Sequence, residues 1–198
     1  MIRFLALVLW LAPWAAQAEI YPALHDVTGV AADDVLNIRA APDAGSAIIG
    51  SLAPDAQGVE VVGVEGDWAV VNTSETRGYA SLRFLARQSG PDWNALQTPL
   101  TCIGTEPFWS LHIDPAKSET RFRTPEHDAA RIAPITKIWP ALPWSQTAAI
   151  DLPDGLAVLA PAECSDGMSD QGYGISADLF FTGPSRARLS GCCSLGLP

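Results

Sequence analysis

An all-β chain built as two successive units is expected here, and three observations predict it. Sixteen prolines and sixteen glycines divide the 198 residues into short runs. Those runs are of strand length and rich in Val, Ile, Leu and aromatics, with no sustained helical period, heptad or internal repeat. All four cysteines, Cys102, Cys164, Cys192 and Cys193, lie in the C-terminal half, so the two halves are held together differently.

The first 18 residues read as an export leader. Arg3 supplies one positive charge, residues 4–14 form an apolar stretch broken only by Pro13, and Ala16-Gln17-Ala18 has the small-x-small pattern of a signal-peptidase site. Cleavage is expected before Glu19. The apolar run is too short for the roughly 20 residues a membrane helix needs, and no later segment approaches that length. The remaining chain is then exported, periplasmic or extracellular, with no membrane span. Its even cysteine count reads as disulfides, for which four cysteines allow three pairings.

Net charge is −10, and loss of Arg3 makes it −11. This balance makes the chain a poor candidate for nucleic acid or anionic lipid, because binding either needs clustered Lys and Arg. Solubility explains such a charge without any ligand.

Residues 19–88 form the first unit. Strands are expected at residues 21–27, then at Leu36-Asn37-Ile38-Arg39 with strict alternation. Near-continuous apolar runs follow at 47–52 and 59–64. The set closes with Trp68-Ala69-Val70-Val71 and Gly78-Tyr79-Ala80, with turns at Gly66-Asp67 and residues 73–77. Strands this short bury their apolar faces most simply by closing a small barrel. Residues 89–99, rich in Gly, Pro and Ser, read as a linker that holds at most one helical turn at 93–96.

The run Val35-Leu36-Asn37-Ile38-Arg39-Ala40-Ala41-Pro42 resembles the "LNVRSGPS" signature of bacterial SH3 domains. Ile48-Ile49-Gly50-Ser51-Leu52, Val59-Glu60-Val61, Asp67-Trp68-Ala69-Val70-Val71 and Gly78-Tyr79-Ala80 match its further elements in order and spacing. The resemblance implies an SH3-like barrel that docks onto peptidoglycan or onto an envelope protein. Trp68, Tyr79 and Asp67 are its candidate ligand contacts, since aromatics at a barrel edge are enriched in recognition sites. Arg39 is expected to bond loop carbonyls.

Residues 100–198 form the second, disulfide-bonded unit. Phe108-Trp109-Ser110-Leu111-His112-Ile113 alternates, placing Trp109, Leu111 and Ile113 on one face. Further strands are expected at 119–122, 130–138, 155–159, 175–181 and 187–190. The irregular Pro- and Trp-rich stretch Trp139-Pro140-Ala141-Leu142-Pro143-Trp144 reads either as a plug for a barrel end or as an exposed segment, with burial preferred because two exposed Trp would make a sticky patch.

Two strings in this unit, Gly104-Thr105-Glu106-Pro107-Phe108-Trp109 and Cys164-Ser165-Asp166-Gly167-Met168-Ser169-Asp170, together with the later Gly191-Cys192, resemble an uncharacterised family of bacterial envelope proteins. That family is similar to the META and lipocalin-like barrels. The resemblance implies an antiparallel β-barrel-like domain with Glu106, Trp109, Asp166 and Asp170 as its motif residues. Gly172 and Gly174 depart from the family pattern, so the turn after the second string is expected to be looser. The resemblance also implies a bridge from Cys164 to Cys192, which leaves Cys102 with Cys193. Neighbouring residues on a strand face opposite ways, so Cys192 and Cys193 require partners on opposite sides.

No catalytic constellation is expected. No Ser sits in a Gly-x-Ser-x-Gly elbow, and His25, His112 and His127 lack metal-site spacing. Glu106, Asp166 and Asp170 suit paired-carboxylate chemistry on paper, but carboxylates beside Gly and Ser more often accept turn N–H bonds. The expectation is a protein that is not an enzyme, with no cofactor and no metal. Its alternative role is an acidic inhibitor or sensor that engages a cationic secreted hydrolase such as lysozyme.

Overall fold

In the computed structural model, residues 19–127, 129–183 and 186–196 are described, and the leader expected at 1–18 lies outside them. The chain is almost entirely β, with two single turns of 3-10 helix.

The first unit places β1 (Ala23–Val27), β4 (Val59–Val61) and β8 (Leu85–Arg87) in a three-stranded sheet ordered β4-β1-β8. A five-stranded sheet runs β3-β2-β7-β6-β5, with β2 (Leu36–Arg39), β3 (Ile48–Leu52), β5 (Gly63–Glu65), β6 (Trp68–Asn72) and β7 (Arg77–Ser81). The run expected as one strand at 59–64 bends at Val62, so β4 and β5 belong to different sheets and form a barrel corner. Alternation sends Leu36, Ile38, Ala69, Val71 and Ala80 inward, onto Val27, Val61 and Leu85 of the opposing sheet. Arg39 donates to the Ser46 carbonyl across the β2–β3 loop, as its placement beside that loop suggested.

The second unit is one nine-stranded antiparallel sheet, curled into a half-barrel. Its strands are β9 (Leu100–Thr105), β10 (Phe108–Asp114), β11 (Glu119–Arg123), β12 (Arg131–Pro134), β13 (Ile138–Trp139), β14 (Ala148–Leu152), β15 (Gly155–Cys164), β16 (Tyr173–Phe181) and β17 (Ala187–Leu195). Their order is β12-β11-β10-β9-β17-β16-β15-β14-β13. The single strand expected at 130–138 is therefore two. Pro134 has no N–H to extend a ladder, and residues 135–137 carry the chain from one sheet edge to the other. Along that crossing the Ile135 N–H bonds the Ser118 carbonyl and the Lys137 carbonyl accepts from Asp151.

Inside the curl, Leu100, Leu111, Ile113, Ile150, Leu159, Ile175 and Leu179 form a fully buried core. Segment 89–99 belongs to this core instead of hanging between units. Its turn at Trp93–Ala95 buries Trp93 and Leu96, 2% and 1% exposed, in the half-barrel core. Trp139, Leu142 and Trp144 stand exposed on the surface, which corrects the expected burial. Cys102 bridges to Cys193 on the core side of β17, and Cys164 bridges to Cys192.

Candidate functional site

Trp68 opens β6 directly after the Gly66-Asp67 turn, where Gly66 takes the left-handed φ of 59° that favours glycine. Because Ala69 and Val71 face the core, Trp68 faces outward. There it forms one wall of a groove of about 630 Å³ with Asp34, Asn37, Arg39, Arg83 and Phe84. The Arg83 guanidinium lies 4.3 Å from the Phe84 ring centre, so the groove carries two cations, two aromatic surfaces and one carboxylate. Such a lining offers stacking and charge-assisted hydrogen bonds together.

Tyr79 shares the outer face, opposite Val70 and Arg39, but does not line the groove. Its hydroxyl donates to Glu65 at 3.1 Å. Burial, reinforced by that carboxylate, raises its pKa above the usual phenol value. Asp67 is exposed in the turn, and its backbone carbonyl accepts from Leu82. Of the three contacts read from the sequence, the structure places Trp68 in the groove and the other two beside it. Arg83 and Phe84 were missed. They lie on a 3-10 turn, Leu82–Phe84, which has no periodic signature.

The two strings of the second unit meet on the outer face of its sheet. Glu106 and Pro107 form the tight turn between β9 and β10, because Thr105 pairs with Phe108. The Thr105 hydroxyl donates to the Asp166 carbonyl at 2.8 Å, which ties the 165–171 loop across β9. A groove of about 770 Å³ lies beneath it, and Glu106, Phe108, Asp166 and Met168 line it. The Asp166 side chain is engaged by its own loop. It accepts from the Met168 and Ser169 N–H groups, the Ser169 hydroxyl and the Tyr173 hydroxyl. Burial works to raise its pKa, but these donors prevail and hold it below the ordinary carboxylate value.

Asp170 is not in this groove. Its backbone carbonyl accepts from the Arg77 N–H at 3.0 Å, and it bridges Thr76 of the first unit. The three acidic residues of the strings are therefore not gathered into one carboxylate cluster. Trp109 faces the core, and its indole lies against Gly104 of β9 and Gly191 of β17, where a Cβ at either position would strike it. Gly104 of the first string and Gly191 of the Gly-Cys pair thus make room for Trp109. Among the described residues, no group of three His, Cys, Asp or Glu side chains is placed to hold a metal ion.

The turn after the second string is tight, not loose. Gly172 exchanges two hydrogen bonds with the Asn72 side chain, at 2.8 and 3.0 Å. Gln171 donates to the carbonyls of Thr73 and Ser74, and Arg77 pairs with Glu163 at 2.9 Å. Gly174 packs on Pro22 and the Val62 carbonyl, and Glu60 accepts from the Leu195 N–H at 3.1 Å. Nothing in the sequence announced these contacts, since each joins residues on separate units.

No curated protein and no solved structure matches the chain. A family model, that of the bacterial SH3 domain, matches residues 34–86, which hold β2 to β7 and every residue lining the Trp68 groove except those at 29–31. The strings of the second unit remain without a matching family, and β1 supplies a barrel strand from outside the matched segment. A bacterial SH3 domain is present, formed by residues 34–86 and built onto a disulfide-bonded β half-barrel.

Proposed function

We propose that this is an exported, non-catalytic protein of a bacterial envelope whose SH3 domain docks onto peptidoglycan. The Trp68 groove carries this reading. It is concave and lined by two guanidiniums and an indole, and it lies in the segment the bacterial SH3 family model matches. Arg39 and Arg83 suit the carboxylates of a peptide stem, and the Trp68 face suits its apolar stretches. The second unit acts as a rigid companion, since Asp166 is spent on its own loop and Trp109 on the core.

The test is co-sedimentation of the oxidised chain beginning at Glu19 with purified peptidoglycan. Saturable binding that falls about tenfold in Trp68→Ala is the expected result, in line with loss of a central aromatic anchor. Absence of sedimentation would turn the reading towards an envelope protein partner.

One observation favours a second reading. Residues 19–99 hold 11 Asp and Glu against 4 Arg, a local charge of 4 − 11 = −7. That balance fits an inhibitor or sensor for a cationic secreted hydrolase. Inhibition of a lysozyme that fades as salt is added would support it, because opposite-charge steering is screened.

A further inference from the structure

The groove beside the 165–171 loop has a lining that the core does not require. Phe108 is 52% exposed and Met168 69%, yet both stand on backbone that is held in place. Phe108 opens β10 directly after the Glu106-Pro107 turn, where Thr105 pairs with it. Met168 donates its N–H to Asp166 at 2.9 Å, next to Gly167 with its left-handed φ of 71°. Phe108 and Met168 line both the groove of about 770 Å³ and a neighbouring hollow of about 520 Å³ that reaches Arg123. Single sites for small ligands run to about 300–1,000 Å³, so the two together suit a chain of several rings.

On β16 and β17 the groove is lined by polar groups. Asp178 lies opposite Ser190 and Phe180 opposite Arg188. Arg188 Nε, Arg188 Nη2 and the Ser190 hydroxyl all donate to one oxygen of Asp178, Oδ1, at 3.2, 3.0 and 2.6 Å. Among the described residues, Asp178 Oδ2 and Arg188 Nη1 are left without a partner, an acceptor and a donor side by side on a held frame. Adjacent hydroxyls of a sugar ring each donate and accept, and they match such a pair. The C–H face of the ring suits Phe108 and Met168. Charge selects against other polymers. Asp166 is satisfied by its own loop, and Asp178 is balanced by Arg188. The lining charges without an ionic partner among the described residues are Glu106 in the groove and Arg123 in the hollow, one of each sign. Neither a polyanion nor a polycation finds a cluster there.

We infer that the groove and hollow around Phe108 and Met168 are a binding site for a neutral oligosaccharide, in which the Asp178–Arg188 pair takes adjacent ring hydroxyls and Phe108 lies against a ring face. The site goes beyond the docking proposed for the SH3 domain. It lies on the other unit and takes sugar, whereas the Trp68 groove suits peptide carboxylates.

The experiment is calorimetric titration of the oxidised chain beginning at Glu19 with the tetramer of N-acetylglucosamine, the tetramer of glucose and a tetralysine peptide. Saturable binding of at least one sugar is expected, little changed by salt and weakened about tenfold in Phe108→Ala and in Asp178→Asn. Preference for the first sugar points to an acetamido glycan as the source, and preference for the second to a plain glucan. Ile48→Ser removes an exposed apolar side chain from the other unit and should bind like the parent. Circular dichroism checks that each variant is folded. Three results would each overturn the inference: no binding of either sugar, binding of tetralysine alone, or a Phe108→Ala or Asp178→Asn variant that binds sugar like the parent. Free tetramers carry no peptide stem, so their failure to bind leaves the Trp68 groove untouched. That groove is judged by Trp68→Ala on whole peptidoglycan.

Discussion

At Gly104 and Gly191, two neighbouring strands leave out side chains so that one indole can lie flat across both. A methyl at Gly104 would meet Trp109 Nε1 and, less closely, the Ser190 carbonyl, whereas one at Gly191 would meet the Ile103 carbonyl most closely of all and the indole as well. Backbone cannot retreat as a side chain can, so Gly191→Ala should cost more than Gly104→Ala. About 2–4 kcal/mol is expected for the pair of sites, read as a lowered urea midpoint. Glu60 gives a residue-scale prediction of the opposite kind. Burial pushes its carboxyl up to about 7 from 4.5, although the Leu195 N–H pulls the other way. Between those values the folded chain holds a proton that the unfolded chain has released. Stability from this group is therefore complete below pH 4.5 and is lost as pH rises through about 7. Glu60→Gln keeps an acceptor for Leu195 and cannot ionise, so its stability relative to the parent should climb over that window. The gain is at most about 3 kcal/mol, and less with solvent screening, and it is measured by denaturation at several pH values. His25 works against it in the parent. Burial lowers its pKa below 6.5, which removes stability on the acid side, so the comparison between parent and variant is the informative quantity.

Among the elements, β17 carries both bridges, with Cys193 facing the core and Cys192 facing away. The Cys102–Cys193 bridge spans 91 residues and the Cys164–Cys192 bridge 28. Each should add about 2–4 kcal/mol, and loop entropy makes the longer worth about 1 kcal/mol more. Paired Cys→Ser variants compared by thermal unfolding measure that difference. How far the elements were legible follows from the same local rules. Alternation in residues 108–113 and 36–39 was plain, and it assigned faces correctly because each strand has one wet side and one dry side. Ala148 to Leu152 alternates as well, but two small Ala residues make too little contrast to be noticed beside the Pro/Trp stretch. That stretch was misjudged because two Trp argue for burial only where the core has room for them, and the indoles that the half-barrel core takes in are Trp93 and Trp109, far from this stretch in sequence. For the candidate site, Trp68 was legible as an aromatic at a strand start. Arg83 and Phe84 were not, since only the fold brings their turn beside Asn37 and Arg39.

For the molecule as a whole, Asn72, Gln171, Arg77 and Glu60 join the SH3 domain to the half-barrel through hydrogen bonds and one ion pair. Most of the bonds at the 170–172 loop engage backbone, so they hold position closely. Asn72→Ala removes both bonds to Gly172 and should cost about 1–3 kcal/mol of coupling. Combined with Gln171→Ala, it should turn one calorimetric transition into two. The strand order has a consequence for how the chain is made. Of the nine strands in its sheet, β17 is the last to leave the ribosome, yet it sits in the middle, between β9 and β16. Every strand of the SH3 domain finds its partners among residues already synthesised by position 87. The half-barrel must wait, with β9 and β16 both holding an unpaired side and two cysteines without partners, until residues 187–195 emerge. During that interval an oxidising compartment would find one bridge to make, Cys102 with Cys164, and it is a wrong one. Correct pairing in such a compartment calls for a disulfide isomerase, or for an oxidant that acts only after residues 187–195 have emerged.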